Sequence, residues 1–163
     1  MSLIKVVVHG ALGKMGRQVL DSLCAEEDMS PVAACDSLAE TDVFVISETT
    51  SVPLSRSITD VLLNAQVVVD FTNAEGAARV IREAASSGVN VVVGSTGLTD
   101  KLIEEAGQLA EEHHVGIVIA PNFAVGAALL THLASQAAPF FDYADLTETH
   151  HEAKIDAPSG TAI

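Results

Sequence analysis

Fifteen residues, Glu148 to Ala162, gather two imidazoles (His150 and His151), an ammonium group (Lys154) and the small turn Ser159-Gly160-Thr161. An imidazole titrates near neutrality and can deliver a proton where negative charge develops, and a lysine three residues beyond the second one can steady or protonate an anion. Ser159, Gly160 and Thr161, placed before a helix, offer hydroxyl and backbone N–H donors to a carboxylate. A solvated strand end carrying surface histidines beside an ordinary helix cap is the plainer alternative. A metal site is not expected, because adjacent histidines on a strand point to opposite faces and no cysteine or acidic cluster completes a coordination shell.

The second concentration of chemistry lies at the front. Gly10-Ala11-Leu12-Gly13-Lys14-Met15-Gly16 reads GxxGxxG directly after an apolar run, a variant of the glycine fingerprint that binds dinucleotides. One glycine allows the tight turn, the next lets backbone approach a pyrophosphate, and the third lets the helix close on the strand, whose partner helix offers unpaired N–H groups to phosphate. Asp36 follows Gly16 by 20 residues, the spacing at which a carboxylate accepts hydrogen bonds from ribose hydroxyls. Ser37 comes next, with no adjacent arginine for a 2′-phosphate, which Lys14 could still partly serve, so NADH is expected to serve at least as well as NADPH. A tight turn that binds nothing is the alternative to this reading as well.

The elements that position these residues follow from periodicity. Ile4 to His9, Ser30 to Cys35, Gln66 to Phe71, Asn90 to Val93 and Gly116 to Ala120 read as strands, with a short one at Asp42 to Ile46. Lys14 to Ala25, Ser57 to Leu63, Ala74 to Ser87 and Thr99 to Glu112 read as helices, capped at Ser57 or Thr59 and at Thr99 or Asp100. Continuous apolar strands alternating with helices predict an α/β fold, a doubly wound parallel Rossmann-type sheet with right-handed crossovers. The rhythm changes after Pro121: a helix over Val125 to Ala138 and an alternating strand over Ala144 to His150 suggest the start of a second, α+β domain. The expected domains are therefore residues 1–122 for dinucleotide binding and 123–163 for the beginning of a substrate domain.

Composition removes several classes. The chain has 163 residues, 48% of them hydrophobic, which suits one well-packed core, and every apolar run is far shorter than a membrane-spanning helix needs. A net charge of −14 with only 8 Lys and Arg argues against a nucleic-acid partner. No secretory leader is evident at Met1 to Lys5, so the cytoplasm is the expected compartment. Cys24 and Cys35 belong to no CxxC pair and read as reduced packing thiols, and His113-His114 as a helix C-terminus where imidazolium is welcome.

The run from His150 to Ala162 in fact resembles the signature of the dihydrodipicolinate reductase family, two histidines, a lysine and then Asp156-Ala157-Pro158-Ser159-Gly160-Thr161-Ala162. The likeness extends through Gly10 to Gly16, Asp70-Phe71-Thr72, Gly94-Ser95-Thr96-Gly97 and Ala120-Pro121-Asn122-Phe123, practically the whole chain. Ser95 departs from a more usual threonine, and Ala124 from a frequent serine. The resemblance implies hydride transfer from NADH or NADPH to a cyclic dicarboxylic imine, dihydrodipicolinate formed from 4-hydroxy-tetrahydrodipicolinate. The product would be tetrahydrodipicolinate, in lysine and diaminopimelate synthesis. It implies His150 as general acid, Lys154 as its partner in protonation or charge stabilisation, and His151 as a contact to the substrate carboxylate. Ser159, Gly160 and Thr161 would hold a carboxylate of this small dicarboxylate substrate. Gly10 to Met15 and Asp36 would hold the cofactor's phosphates and ribose, and Gly94, Ser95, Thr96 and Ala120 to Phe123 would border its nicotinamide. Family members are longer, so the resemblance further implies a chain cut short within the substrate domain. Such a piece would bind dinucleotide but turn over poorly, and the whole protein would form a homotetramer. Another Rossmann oxidoreductase and a non-enzymatic dinucleotide-binding module stay open as alternatives.

Overall fold

The structure, a computed structural model, describes residues 3–149, and its chain divides into two units at Ile119/Ala120. The first unit is a seven-stranded sheet of β1 (Ile4–His9), β2 (Met29–Cys35), β3 (Val43–Val45), β4 (Ser51–Ser55), β5 (Val67–Asp70), β6 (Asn90–Val93) and β7 (Ile117–Ile119). Their order is β3-β4-β2-β1-β5-β6-β7, and every neighbouring pair except β3 with β4 is parallel. Helices α1 (Lys14–Ala25), α2 (Ala74–Ser86) and α3 (Asp100–His113) and a 3-10 helix at Ile58–Asn64 connect them.

The unbroken Val6-Val7-Val8 run is explained by burial on both sides. Val7 packs with Ile58, Val80, Ile81 and Leu102 from the 3-10 helix, α2 and α3. Val6 and Val8 point the other way, toward Leu20 and Leu23 of α1 and Phe44 of β3. Alternate side chains of one strand thus feed two apolar layers, and each fully buried Leu, Ile or Val in them is worth roughly 1.5–3 kcal/mol. Because β2 and β5 flank β1 on opposite sides, the winding reverses at β1, and a crevice opens at the carboxyl ends of β1 and β5.

Three expectations change. A strand at 51–55 is present that the sequence pattern did not suggest. Pro53 sits at its centre and lacks an N–H, which the pairing tolerates because β4 meets β3 through residues 51–53 and β2 only through Leu54 and Ser55. The helix after it is a 3-10 helix, and Ser57 stands at its N-cap with its hydroxyl bonded to Thr59 Oγ1 and not to a helix N–H. Residues 144–149 pair with no strand among the described residues: alternation marks two faces, but a strand also needs a neighbour's backbone groups, and residue 150 lies outside the described range. Pro31 in β2 is accommodated by a register shift, Val6 opposing Pro31 and Val7 opposing Ala33.

His113 ends α3, and His114 caps it in the left-handed conformation, φ 54°, with its N–H on the Ala110 carbonyl. The second unit contains α4 (Val125–Ala137) and a 3-10 turn at Ala138–Phe140; Val125, Leu129, Leu130 and Leu133 are exposed on α4. Among the described residues no helix is long and apolar enough to cross a membrane, and no three His, Cys, Asp or Glu side chains are grouped to hold a metal.

The two cysteines differ in a measurable way. Cys35 is fully buried, and its thiol is pushed up to about 12 by burial first and then by the nearby negative charges of Asp36, Asp60 and Glu83, whereas Cys24 is exposed. Only a thiolate reacts readily, so a thiol reagent at pH 8 should modify one cysteine per folded chain and the second only after unfolding. Rapid native modification of both would contradict this.

Candidate functional site

The glycine turn begins where β1 ends. Gly10 adopts φ +82°, and a Cβ there would stand 2.6 Å from the Phe71 carbonyl oxygen, so both backbone angle and space require glycine. The N–H groups of Gly10 and Ala11 donate to the Cys35 carbonyl at 2.9 and 3.2 Å, tying the turn to the end of β2. A Cβ on Gly16 would overlap the Gly10 carbonyl, which lets α1 lie directly against the turn.

The start of α1 differs from the starts of α2 and α3. Asn73 caps α2 by accepting from Gly76 N–H at 2.9 Å, and Thr99 caps α3; each of those helices also has an acid in its first turn, Glu75 and Asp100. Gly13 caps α1 with no side chain, and no acid follows. The helix dipole and first-turn N–H groups are therefore left for an external anion. Lys14 and Met15 are exposed there, while Arg17 donates through Nε to the Leu12 carbonyl at 3.2 Å and lies 5.5 Å over the Phe44 ring.

Asp36 follows β2 and is only 9% exposed. Its Oδ2 accepts from Leu12 N–H at 2.9 Å and its Oδ1 from Leu38 N–H at 3.0 Å. One carboxylate thus joins the glycine turn to the loop after β2, and each oxygen keeps a lone pair for a ribose hydroxyl.

Beneath the crevice lies a network of which the sequence places only Ser95 among the expected site residues. Asp70 ends β5, is fully buried, and stands opposite His9 in the β1–β5 register. Its Oδ1 accepts from His9 Nδ1 and from Thr72 Oγ1, both at 2.8 Å, and its Oδ2 accepts from Ser95 Oγ at 2.6 Å. A carboxylate only accepts, so His9 carries its proton on Nδ1 in this bond. The three donors bind the carboxyl ends of β1, β5 and β6 into one rigid floor. Ser95 is buried with its hydroxyl given to Asp70, Thr96 is exposed, and Gly94 lies so close to the Phe71 ring that a Cβ would overlap it.

Next to this floor a cleft of about 270 Å³ opens between the loop after β2 and the start of α2, lined in part by Asp36, Ser37, Arg56, Asn73 and Arg79. The arrangement suits an adenosine-like group: an acid for hydroxyls at one wall, and an uncapped helix start reached through the glycine turn that the acid holds. Arg56 and Arg79 were not legible as site residues, since neither adjoins Asp36 in sequence. Ala120 to Phe123 open the second unit, where Asn122 Oδ1 accepts from Ala124 N–H at 2.8 Å ahead of α4. His150, His151, Lys154, Ser159, Gly160 and Thr161 lie outside the described residues.

Comparison with known proteins fits this arrangement. The family model for the N-terminus of dihydrodipicolinate reductase matches residues 4–123, and that for its C-terminus matches residues 126–163. The 4-hydroxy-tetrahydrodipicolinate reductase of Dehalococcoides mccartyi is 44% identical over 166 residues, covering 100% of this chain. That of a Synechocystis species is 42% identical over 172 residues, covering 99%. The chain spans 63% of the first relative's length and 62% of the second's. Among solved structures, the dipicolinate-bound dihydrodipicolinate reductase of Paenisporosarcina sp. TG-14 superposes with a TM-score of 0.81 at 33% identity, over 98% of this chain and 63% of that one. The scyllo-inositol dehydrogenase of Lactobacillus casei, with bound NAD(H), superposes at 0.66 with 18% identity over 84% of this chain and 42% of that one, a likeness of fold alone. With a glycine turn, an acid after β2 and both family models accounted for, the chain belongs to the dihydrodipicolinate reductase family.

Proposed function

We propose that this chain serves the NADH- or NADPH-dependent reduction of dihydrodipicolinate, the cyclic dicarboxylic imine formed from 4-hydroxy-tetrahydrodipicolinate, to tetrahydrodipicolinate. Residues 1–122 hold the dinucleotide and residues 123–163 begin the substrate domain. The observation that carries the reading is the bond from Leu12 N–H to Asp36 Oδ2, which fixes a phosphate-binding turn and a ribose acceptor to one another at the point where the sheet reverses. Gly10 and Gly16 leave the backbone open to a pyrophosphate, and the acid-free start of α1 supplies N–H donors toward it. NADH serves at least as well as NADPH, because Asp36 accepts from an unmodified ribose. The reduced nicotinamide supplies the hydride.

The chain's own residues bind, orient and protonate. Gly10 to Met15 hold the phosphates, and Gly94 to Thr96 with Ala120 to Phe123 border the ring. His151, Ser159, Gly160 and Thr161 meet the two carboxylates of the small-molecule substrate. His150 delivers the proton that follows hydride addition, and Lys154 steadies the charge. The whole protein is a cytoplasmic homotetramer in this reading.

Titration with NADH and with NADPH, each with and without pyridine-2,6-dicarboxylate, tests it through nicotinamide fluorescence. The dicarboxylate should bind only beside the dinucleotide and raise its affinity. Dinucleotide binding that ignores the dicarboxylate would favour a non-enzymatic module or a different oxidoreductase, and no dinucleotide binding would overturn both.

A further inference from the structure

We propose that Arg56, supported by Arg79, receives the 2′-phosphate of NADPH, so that this chain accepts the phosphorylated cofactor although no arginine follows Asp36 in sequence. The inference rests on the dinucleotide reading above and names the specificity-determining residues within it.

Strand pairing brings Arg56 there. β2 and β4 run parallel with Ala34 opposite Leu54 and Cys35 opposite Ser55, and the Asp36 N–H donates to the Ser55 carbonyl at 2.9 Å. The residue after β4 therefore stands beside the residues after β2, separated from them by some twenty positions of chain but adjacent in space. Arg56 Nε donates to the Ala39 carbonyl at 2.5 Å, which fastens its guanidinium to the 36–39 loop. Its two remaining nitrogens have no protein acceptor among the described residues, and both Arg56 and Ser37 line the cleft. Arg79 reaches the same cleft from α2, one turn beyond Gly76, with no hydrogen bond or ion pair of its own among the described residues.

That neither cation is paired with a carboxylate among the described residues is informative in a chain of net charge −14. Arg82, on the same helix as Arg79, is held by Glu105 through two parallel bonds of 2.5 and 2.7 Å. Asp36 and Glu75 line the cleft as well, yet neither is paired with Arg56 or Arg79. Asp36 faces the backbone instead, each oxygen accepting one N–H, which blunts its repulsion of a phosphate nearby. A guanidinium anchored through Nε presents two parallel N–H bonds, the geometry that matches a phosphate bidentately. A ribose whose hydroxyls meet Asp36 directs its 2′-substituent toward this loop.

The rival role for these residues is stacking on the adenine plane, which would strengthen NADH and NADPH alike. The test is to measure affinities of the unsubstituted chain, Arg56→Gln and Arg56→Lys for NADH, NADPH and the minimal pair 5′-AMP and 2′,5′-ADP. Arg56→Gln should weaken NADPH and 2′,5′-ADP about tenfold or more, through loss of a charge-assisted contact, and leave NADH and 5′-AMP within about twofold. Arg56→Lys should recover part of that loss, since charge returns without the bidentate fork. Arg79→Gln should act in the same direction and less strongly. Equal weakening of phosphorylated and unphosphorylated ligands would overturn the proposal in favour of stacking, and so would an unchanged NADPH to NADH ratio in a folded Arg56→Gln chain. If the unsubstituted chain binds neither dinucleotide, it is the underlying cofactor reading that fails.

Discussion

Asp70→Ala should lower the unfolding free energy of the first unit by about 3 kcal/mol, the sum of small penalties at groups left without partners. The carboxylate is fully buried and accepts from His9, Thr72 and Ser95. Removing it leaves a buried imidazole N–H and a buried serine hydroxyl with no acceptor, each costing about 1–3 kcal/mol, and opens a small cavity. Thr72 suffers less, because its hydroxyl also lies 3.3 Å from the Asn73 carbonyl. Relief of the desolvation of the carboxylate offsets part of this, which is why the expected loss stays near the lower end of what breaking a buried pair costs. Asp70→Asn is the informative companion. It keeps the shape but turns an NH2 group toward a donor, so it should still lose about half as much, whereas Ser95→Ala removes one bond and about 1 kcal/mol. Urea unfolding followed by far-ultraviolet circular dichroism reads all three, as a shift in midpoint with unchanged slope. An Asp70→Ala chain within about 1 kcal/mol of the parent would mean the network is ornamental to stability.

The strands were legible wherever a run is apolar enough to feed both layers, as Val6 to Val8 do and as Val68 and Val69 do on opposite sides of β5. They were illegible where tertiary context overrides local preference. β4 has a proline at its centre and serines at its ends, features that speak against a strand, yet Val52 and Leu54 fill the layer over Phe44. Residues 144–149 show the converse failure, a pattern without a pairing partner among the described residues.

The candidate site residues divide along the same line. Gly10, Gly16 and Asp36 could be read because the demand on each is local: a positive φ, a close approach, a fixed distance along the βα unit. The His9–Asp70–Ser95 network needed the register of three strands, although a histidine and an aspartate each terminating a valine run were a signal worth pursuing: a charge at the end of a buried strand must find donors. Arg56 and Arg79 could not be found by adjacency to Asp36 at all, since they reach the cleft from β4 and α2. The expectation that the absence of an arginine after Asp36 speaks to cofactor choice was a statement about sequence neighbours, whereas a phosphate meets spatial ones.

Asp36→Ala should weaken NADH about a hundredfold while leaving the chain folded, since hydrogen bonds to a charged acceptor are worth about 1.5–3 kcal/mol and the loop loses its preset shape. The side chain does two things at once. As the proposed ribose acceptor it offers lone pairs to hydroxyls, and it holds Leu12 N–H and Leu38 N–H so that turn and loop are in place before a ligand arrives. Asp36→Asn separates these roles, because its single carbonyl oxygen can keep one backbone donor and its NH2 group must face the other; its NADH affinity should fall between parent and alanine. NADPH should suffer less than NADH from Asp36→Ala, for the substitution also removes a negative charge from the wall that faces a 2′-phosphate, leaving Arg56 and Arg79 unopposed there except by Glu75. The preference ratio therefore moves toward NADPH as the absolute affinities drop. Fluorescence titration of both cofactors against both variants measures that ratio directly. If Asp36→Ala bound NADH as tightly as the parent, Asp36 would be a structural brace of the glycine turn and no ribose acceptor. If both cofactors weakened by the same factor, its charge would play no part in choosing between them.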